Sequence, residues 1–204
     1  MPRDEKTIHI LDDDETVPWL YSKFLRIPDA AFRTYTSAAA FLAGYRPAPC
    51  ECLICDLRMP EMDGLEVQRQ LRNTGMSLPI IFVSGFAEVP SVVQAMKVGA
   101  FHFLEKPPDP AELHRLVVEA LAHSRTLHAE RVASAQRKAR LTLLTPRERE
   151  VAREVARGKS SRQIADEMGV SVRTVENHRA HLAEKLGVAS VAELVRLVSG
   201  FDED

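Results

Sequence analysis

Apolar residues follow two different rhythms along this chain. Through residue 120 they gather in short runs, at residues 7–11, 32–36, 52–55, 80–83 and 101–104. Between the runs lie segments of helical spacing that start near Glu15, Ser37, Gly64, Pro90 and Asp109. Two of the runs are rich in β-branched residues and nearly all apolar, as strands buried on both faces should be. Five strands with intervening helices predict βα units and a parallel, doubly wound α/β sheet. Right-handed crossovers leave few topologies for it.

From residue 141 the rhythm changes to short helices with sharp starts. Thr145-Pro146-Arg147-Glu148 reads as a capping box with proline at the first helical position. Ser160 with Gln163, and Ser190 with Glu193, read as two more. Ser171 is a candidate N-cap before Val172, and Gly158, Gly169 and Gly187 stand where helices should stop. The pattern predicts four helices of roughly 8–15 residues and no strand. Between the halves, residues 111–145 hold neither proline nor glycine, and residues 123–140 are rich in Ala, Arg, Glu and Gln. The expected division is an α/β domain over 1–122, a helical or semi-flexible linker over 123–141 and a small all-α domain over 142–204.

A length of 204 residues accommodates two small domains. With 45% hydrophobic and 27% charged residues the chain is neither collagenous, low-complexity nor wholly disordered. Its net charge of −2 hides an asymmetry. Residues 1–122 carry 12 basic against 17 acidic residues, a net of −5; residues 123–204 carry 15 against 12, a net of +3. Three of those later acids, Asp202, Glu203 and Asp204, end the chain. An acidic module joined to a nucleic-acid binder fits this distribution. No stretch approaches the ~18 apolar residues of a membrane span, and the N-terminus reaches Asp12 too soon for a signal peptide. The odd, clustered cysteines Cys50, Cys52 and Cys55 predict buried strand residues in a reducing cytoplasm rather than a disulfide framework or metal site.

In a doubly wound sheet, ligands bind beyond the carboxyl ends of the strands. Strand one ends in Asp12, Asp13 and Asp14, strand three in Asp56, strand four in Ser84, and strand five in Glu105-Lys106-Pro107. Taken singly, such aspartates are ordinary turn formers. Taken together, they bring carboxylates, a hydroxyl and an ammonium to one rim. Clustered carboxylates repel, so a divalent cation is the natural guest, and a few hard oxygen ligands suit Mg²⁺. A carboxylate beside Mg²⁺ can attack a phosphoryl group and carry it as an aspartyl phosphate. Lys106 and Ser84 would hold the remaining phosphoryl oxygens.

Residues 7–120 resemble the receiver domain of two-component response regulators. The resemblance is carried by residues 8–14 (IHILDDD), 53–60 (LICDLRMP) with Asp63-Gly64, 80–85 (IIFVSG) and 103–107 (FLEKP). It implies a flavodoxin-like sheet of strand order 2-1-3-4-5. It implies Asp56 as acceptor of a phosphoryl group from a sensor histidine kinase, and Mg²⁺ bound by Asp13, Asp56 and the Arg58 backbone carbonyl, with Asp12 acting through a metal-bound water. Ser84 and Lys106 would contact phosphoryl oxygens, and Phe103 would be the aromatic switch. The same resemblance implies a cis peptide before Pro107 and a phosphorylation-dependent homodimer through the fourth helix and fifth strand. Two departures from the family pattern are Phe86-Ala87-Glu88 after Gly85, which bears on access to Asp56, and Pro108, which bears on the dimer face. A rival reading takes Asp12-x-Asp14-x-Thr16-Val17 as the nucleophile motif of a haloacid-dehalogenase-like phosphatase, with Asp12 as nucleophile. No late acidic pair after Lys106 supports it.

On a helical wheel of residues 172–186, Val175, Leu182 and Leu186 share one stripe. Arg173, Asn177, Ala180 and Glu184 fall opposite, flanked by Glu176 and His181, while Thr174, His178 and Lys185 run down one side. Preceded by a short helix over 161–168 and a turn at Gly169, this is a helix-turn-helix whose second helix suits a DNA major groove. Arg, Asn and Glu can read base edges there. Ser161, Arg162, Arg179 and Lys185 suit phosphates. Residues 143–199 resemble the LuxR/FixJ-type output domain, through residues 144–151 (LTPREREV), Ile164-Ala165, residues 172–179 (VRTVENHR) and residues 185–188 (KLGV). In that family the base-facing positions match Glu176, Asn177 and Ala180. The expectation is a cytoplasmic, non-membrane transcription factor, activated by phosphorylation, that binds a two-fold promoter site on double-stranded DNA; activation of transcription is the commoner output. A DNA binder indifferent to phosphorylation is the alternative.

Overall fold

The computed structural model describes residues 6–85 and 89–198. The departure at residues 86–88 and the acidic end of the chain lie outside the described residues. The chain divides into two compact units, Met1–Glu130 and Arg131–Asp204.

The first unit alternates β1 (Lys6–Leu11), α1 (Thr16–Phe24), β2 (Ala30–Tyr35), α2 (Ala38–Gly44), β3 (Cys50–Cys55), α3 (Gly64–Asn73), β4 (Ile80–Ser84), α4 (Val89–Lys97) and β5 (His102–Glu105). The sheet is wholly parallel, in the order β2-β1-β3-β4-β5. The pleat splits each central strand between two layers. Ile8 and Ile10 of β1, Cys50, Cys52 and Ile54 of β3, and Ile81 and Val83 of β4 pack with Tyr21 and Leu25 of α1 and with the next helix, α5 (Pro110–Thr142), through Leu113, Leu116, Val117 and Leu121. The alternate residues Leu11, Leu53, Cys55, Ile80 and Phe82 pack with Phe41 of α2, Leu65, Val67 and Leu71 of α3, and Ala95 of α4. The central strands β3 and β4 are buried throughout, and the edge strand β2 is not. All three cysteines are free and buried in β3.

Strand edges differ from the apolar runs by at most two residues. One such difference is in β3, which begins at Cys50 and so carries Glu51 into the core. That carboxylate is only 4% exposed. It is tolerated because Tyr45 donates its hydroxyl to Oε1 at 2.7 Å and His9 Nε2 lies 3.3 Å from Oε2. Its backbone N–H donates to Ser124 Oγ of α5. The second half of α5 keeps helical geometry to Thr142, although residues 129–140 are all exposed.

The second unit holds α6 (Pro146–Ala156), α7 (Ser161–Met168), α8 (Val172–Leu186) and α9 (Val191–Val198) around Leu144, Val151, Val155, Ile164, Val175, Leu182, Leu186 and Leu194. Thr145–Glu148 and Ser160–Gln163 are reciprocal capping boxes. Ser171 caps Thr174 N–H, and Gly169 and Gly187 end α7 and α8 in the left-handed region. The third box differs. Ser190 Oγ accepts from Glu193 N–H as expected, but the Glu193 carboxylate accepts from Ala189 N–H, one residue earlier.

Gly64 opens α3 pressed against the back of the acidic rim. A Cβ there would lie 2.6 Å from the carbonyl oxygen of Asp56 and 2.7 Å from the Phe82 ring. Gly64→Ala is expected to cost about 1–3 kcal/mol in urea unfolding through this overlap. Gly75→Ala, whose Cβ meets nothing within 4 Å but which has φ +72°, should cost less.

Candidate functional site: an acidic rim and a helix-turn-helix face

Strand pairing builds the rim. Leu11 of β1 and Cys55 of β3 are register partners, so Asp12 and Asp56 leave the sheet side by side. Backbone bonds from Asp56 N–H to Leu11 C=O and from Asp12 N–H to Tyr35 C=O hold both residues at the strand ends. Ser84 pairs with Glu105 across β4 and β5, and Lys106 N–H donates to Ser84 C=O at 3.0 Å. The Lys106–Pro107 peptide is cis.

The Lys106 ammonium donates to Asp12 Oδ2 at 2.6 Å and to Asp56 Oδ2. Arg58 N–H donates to the other Asp56 oxygen at 3.0 Å, and Asp14 N–H to the other Asp12 oxygen at 3.1 Å. Asp12, Asp56 and Ser84 are buried, while Asp13 is exposed. Burial pushes the Asp12 carboxyl above its ordinary value, and the Lys106 hydrogen bond and charge only partly oppose this. On Lys106 burial is the largest influence and pulls downward, yet the bonds and charges of Asp12 and Asp56 together hold the ammonium above its usual range.

Oxygen atoms of Asp12, Asp13 and Asp56 all lie within 4.8 Å of one another. One ammonium faces three carboxylates, so the rim is formally two charges negative. The donor set is oxygen alone, it is compact, and Asp13 opens it to water. A small hard cation that keeps part of its hydration shell, such as Mg²⁺, fits this set. Asp14 is turned elsewhere. Its Oδ1 accepts from the Thr16 N–H and hydroxyl at 2.9 and 2.7 Å and so caps the start of α1. The second aspartate of the rival phosphatase motif is therefore occupied as a cap. Phe103 of β5 is half-buried beside Phe82.

In the second unit α8 buries Val175, Leu182 and Leu186 and exposes Arg173, Glu176, Asn177, Ala180 and His181, as the wheel predicts. Arg162 is exposed, and Thr174 is half-buried with its hydroxyl on Ser171. Two residues expected at phosphates have protein partners. Arg179 Nη1 donates to Ser161 Oγ at 3.2 Å. The Lys185 ammonium donates to both carboxylate oxygens of Glu148, at 2.9 and 2.8 Å, while its side chain stays 37% exposed. The sequence reading placed Glu148 only in a capping box and did not connect it with Lys185, 37 positions away. Among the described residues no helix is long and apolar enough to cross a membrane.

Fold and site together define a class: an α/β module with an acidic rim at its switch point, followed by a helix-turn-helix module. Residues 8–118 match the response regulator receiver domain, and residues 142–198 match the luxR family of bacterial regulatory proteins. The chain is 40% identical over 192 residues to the response regulator protein TodT of Pseudomonas putida, covering 93% of this chain and 84% of that one. It is 36% identical over 197 residues to the transcriptional regulatory protein FixJ of Rhizobium meliloti, covering 96% and 97%. The solved structure of the response regulator StyR superposes with a TM-score of 0.84 at 35% identity, covering 96% of this chain and 99% of that one. The chain belongs to the two-component response regulators that join a receiver to a luxR-type DNA-binding domain, and it is a transcription regulator.

The Lys185 bond, followed by the Thr145 backbone N–H, lowers the Glu148 pKa to about 2 from 4.5. A carboxyl depressed on folding stabilises the native state above its unfolded value and loses that contribution as pH falls through the folded value. Glu148→Gln should therefore lower the urea midpoint for unfolding of the helical unit at pH 7. The gap from the unaltered chain should close progressively between about pH 4.5 and about pH 2, followed by circular dichroism.

Proposed function

We propose that this protein is a phosphorylation-activated transcription factor whose phospho-acceptor is Asp56. The observation that carries the reading is the Lys106 ammonium bonded to Asp12 and Asp56 at once, in a rim where Asp13 and Ser84 also sit. The donor is a phosphohistidine on a sensor histidine kinase. A carboxylate oxygen of Asp56 attacks phosphorus, the P–N bond breaks, and its electron pair stays on the imidazole nitrogen, which takes up a proton. Asp13, Asp56 and the Arg58 carbonyl would hold Mg²⁺, with Asp12 reaching it through water; when bound it offsets the charge of the phosphoryl oxygens. Lys106 and the Ser84 hydroxyl bind those oxygens. Lys106 must loosen its hold on Asp56 to do so, which couples the site's chemistry to a rearrangement of the β5 end.

Pulling Ser84 toward the phosphoryl group shifts Phe103. α4 buries only Ala95 among its described residues and leaves Val89, Val93 and Met96 exposed at helical spacing. That stripe, with β5, forms a two-fold dimer face. A dimer in turn presents two copies of α8 to a two-fold operator, about one DNA turn apart. Arg173, Thr174, Glu176, Asn177, Ala180 and His181 face the bases, and Ser161, Arg162 and Arg179 the phosphates. The domains in this reading are residues 1–122 and 142–204, joined by 123–141, and the protein works in the cytoplasm, activating its promoters.

Labelling with a small phosphoryl donor in Mg²⁺ should place the acid-stable, base-labile phosphate on Asp56 by peptide mapping. Asp56→Asn should remove it. Asp12→Asn should slow labelling without moving its position, and chelation should stop it. Label on Asp12 would sink the assignment. Beryllofluoride with Mg²⁺ should convert the chain to dimers in sedimentation velocity and tighten operator binding about tenfold or more. Unchanged mass and unchanged affinity would mean a DNA binder indifferent to phosphorylation.

A further inference from the structure

The second unit contains a polar junction between a buried carboxylate and a lysine whose side chain is 37% exposed. Glu148, in the first turn of α6, is 3% exposed. Its Oε2 accepts from Thr145 N–H at 2.8 Å and from the Thr145 hydroxyl at 3.0 Å. Both oxygens also accept from Lys185, in the last turn of α8. One carboxylate thus ties the start of α6 to the end of the recognition helix. Halfway along α8, Arg179 makes the second polar tie, to Ser161 of α7.

The apolar contacts of Val175, Leu182 and Leu186 hold α8 against the core, but burial of apolar area is non-directional. A small turn of the helix costs it little. Such a turn matters at the DNA surface. Rotation by ~10° moves atoms at the rim of a helix, ~5–6 Å from its axis, by about 1 Å. That is enough to spoil the geometry of a bidentate bond to a base edge. The Glu148–Lys185 pair is directional, and breaking it leaves a buried carboxylate with its Thr145 bonds but no countercharge, so it penalises other poses of α8.

We propose that Lys185 is a positioning residue for DNA recognition rather than a phosphate contact: its ion pair with Glu148 fixes the rotation of α8 and so the placement of Arg173, Glu176 and Asn177. This inference rests on the DNA reading given above and assigns the pair a role in specificity. The depressed pKa of Glu148 keeps its carboxylate ionised across the physiological range.

The test uses the full-length chain with beryllofluoride and Mg²⁺ and two DNA probes. One is a duplex enriched by the unaltered chain from a random library; the other is a scrambled duplex of equal length. Affinities are read over a salt series. Lys185→Met should weaken binding to the enriched duplex about tenfold and to the scrambled one less than about twofold, with the salt slope unchanged. Glu148→Gln, which replaces a group unable to attract phosphate, should give the same pattern. The double variant should be no worse than either single one, because both remove one interaction. Lys185→Arg keeps the pair and should keep the preference; it also keeps the experiment decisive if Lys185→Met folds poorly. Arg162→Ala, at an exposed cation present twice in the dimer, should instead weaken both duplexes alike and reduce the slope by about 1.8. If Lys185→Met weakens both duplexes equally and flattens the slope, or if Glu148→Gln leaves the preference intact, Lys185 touches phosphate and the proposal falls. If the unaltered chain enriches no sequence, the DNA reading itself fails, and this inference with it.

Discussion

Like charge gathered in a small volume is the constraint on which the receiver half is built. Asp12 and Asp56 are buried side by side, because β1 and β3 end in register, with exposed Asp13 within carboxylate reach. Burial pushes the Asp12 carboxyl toward protonation. Lys106 is the internal answer. Its ammonium lies against both buried carboxylates and is itself held charged by them. One lysine does not balance three aspartates, and the deficit is what makes the rim receptive to a cation.

The sheet exists, in this view, to hold those charges together. Parallel pairing puts every carboxyl end on one side, and the two apolar layers leave little freedom for the strands to shift. Gly64 shows how tightly the rim is backed, since α3 begins where only a hydrogen fits behind Asp56. The helical half meets its own version of the problem. A carboxylate buried at the start of α6 is matched by a lysine from the end of α8, and the match ties together two helices that the chain separates by a long interval.

Much of the site was legible because the strand-end rule converts a linear list into a location. Asp12, Asp13, Asp56, Ser84 and Lys106 each follow an apolar run, and runs in a parallel sheet point the same way. The caps were legible for a similar reason: they are contacts within four residues. Glu193 marks the edge of that legibility, since a flexible side chain chose the N–H one position away. Glu51 was hidden because a charged residue interrupts an apolar run; its partners His9 of β1, Ser124 of α5 and Tyr45, just after α2, lie in three separate stretches of chain.

Periodicity, spacing and residue type by themselves determined the two folds, the face that α8 exposes and the acids that end the strands. These properties depend on neighbours along the chain or on the alternation of one element, and both are written in order of sequence. Tertiary structure alone decided that Lys106 bridges Asp12 and Asp56, that Asp14 turns away to cap a helix, and that Lys185 is bound to Glu148 instead of standing free. A long, flexible cation accepts whichever anion folding brings within reach, and that proximity is set by packing across many residues of separation.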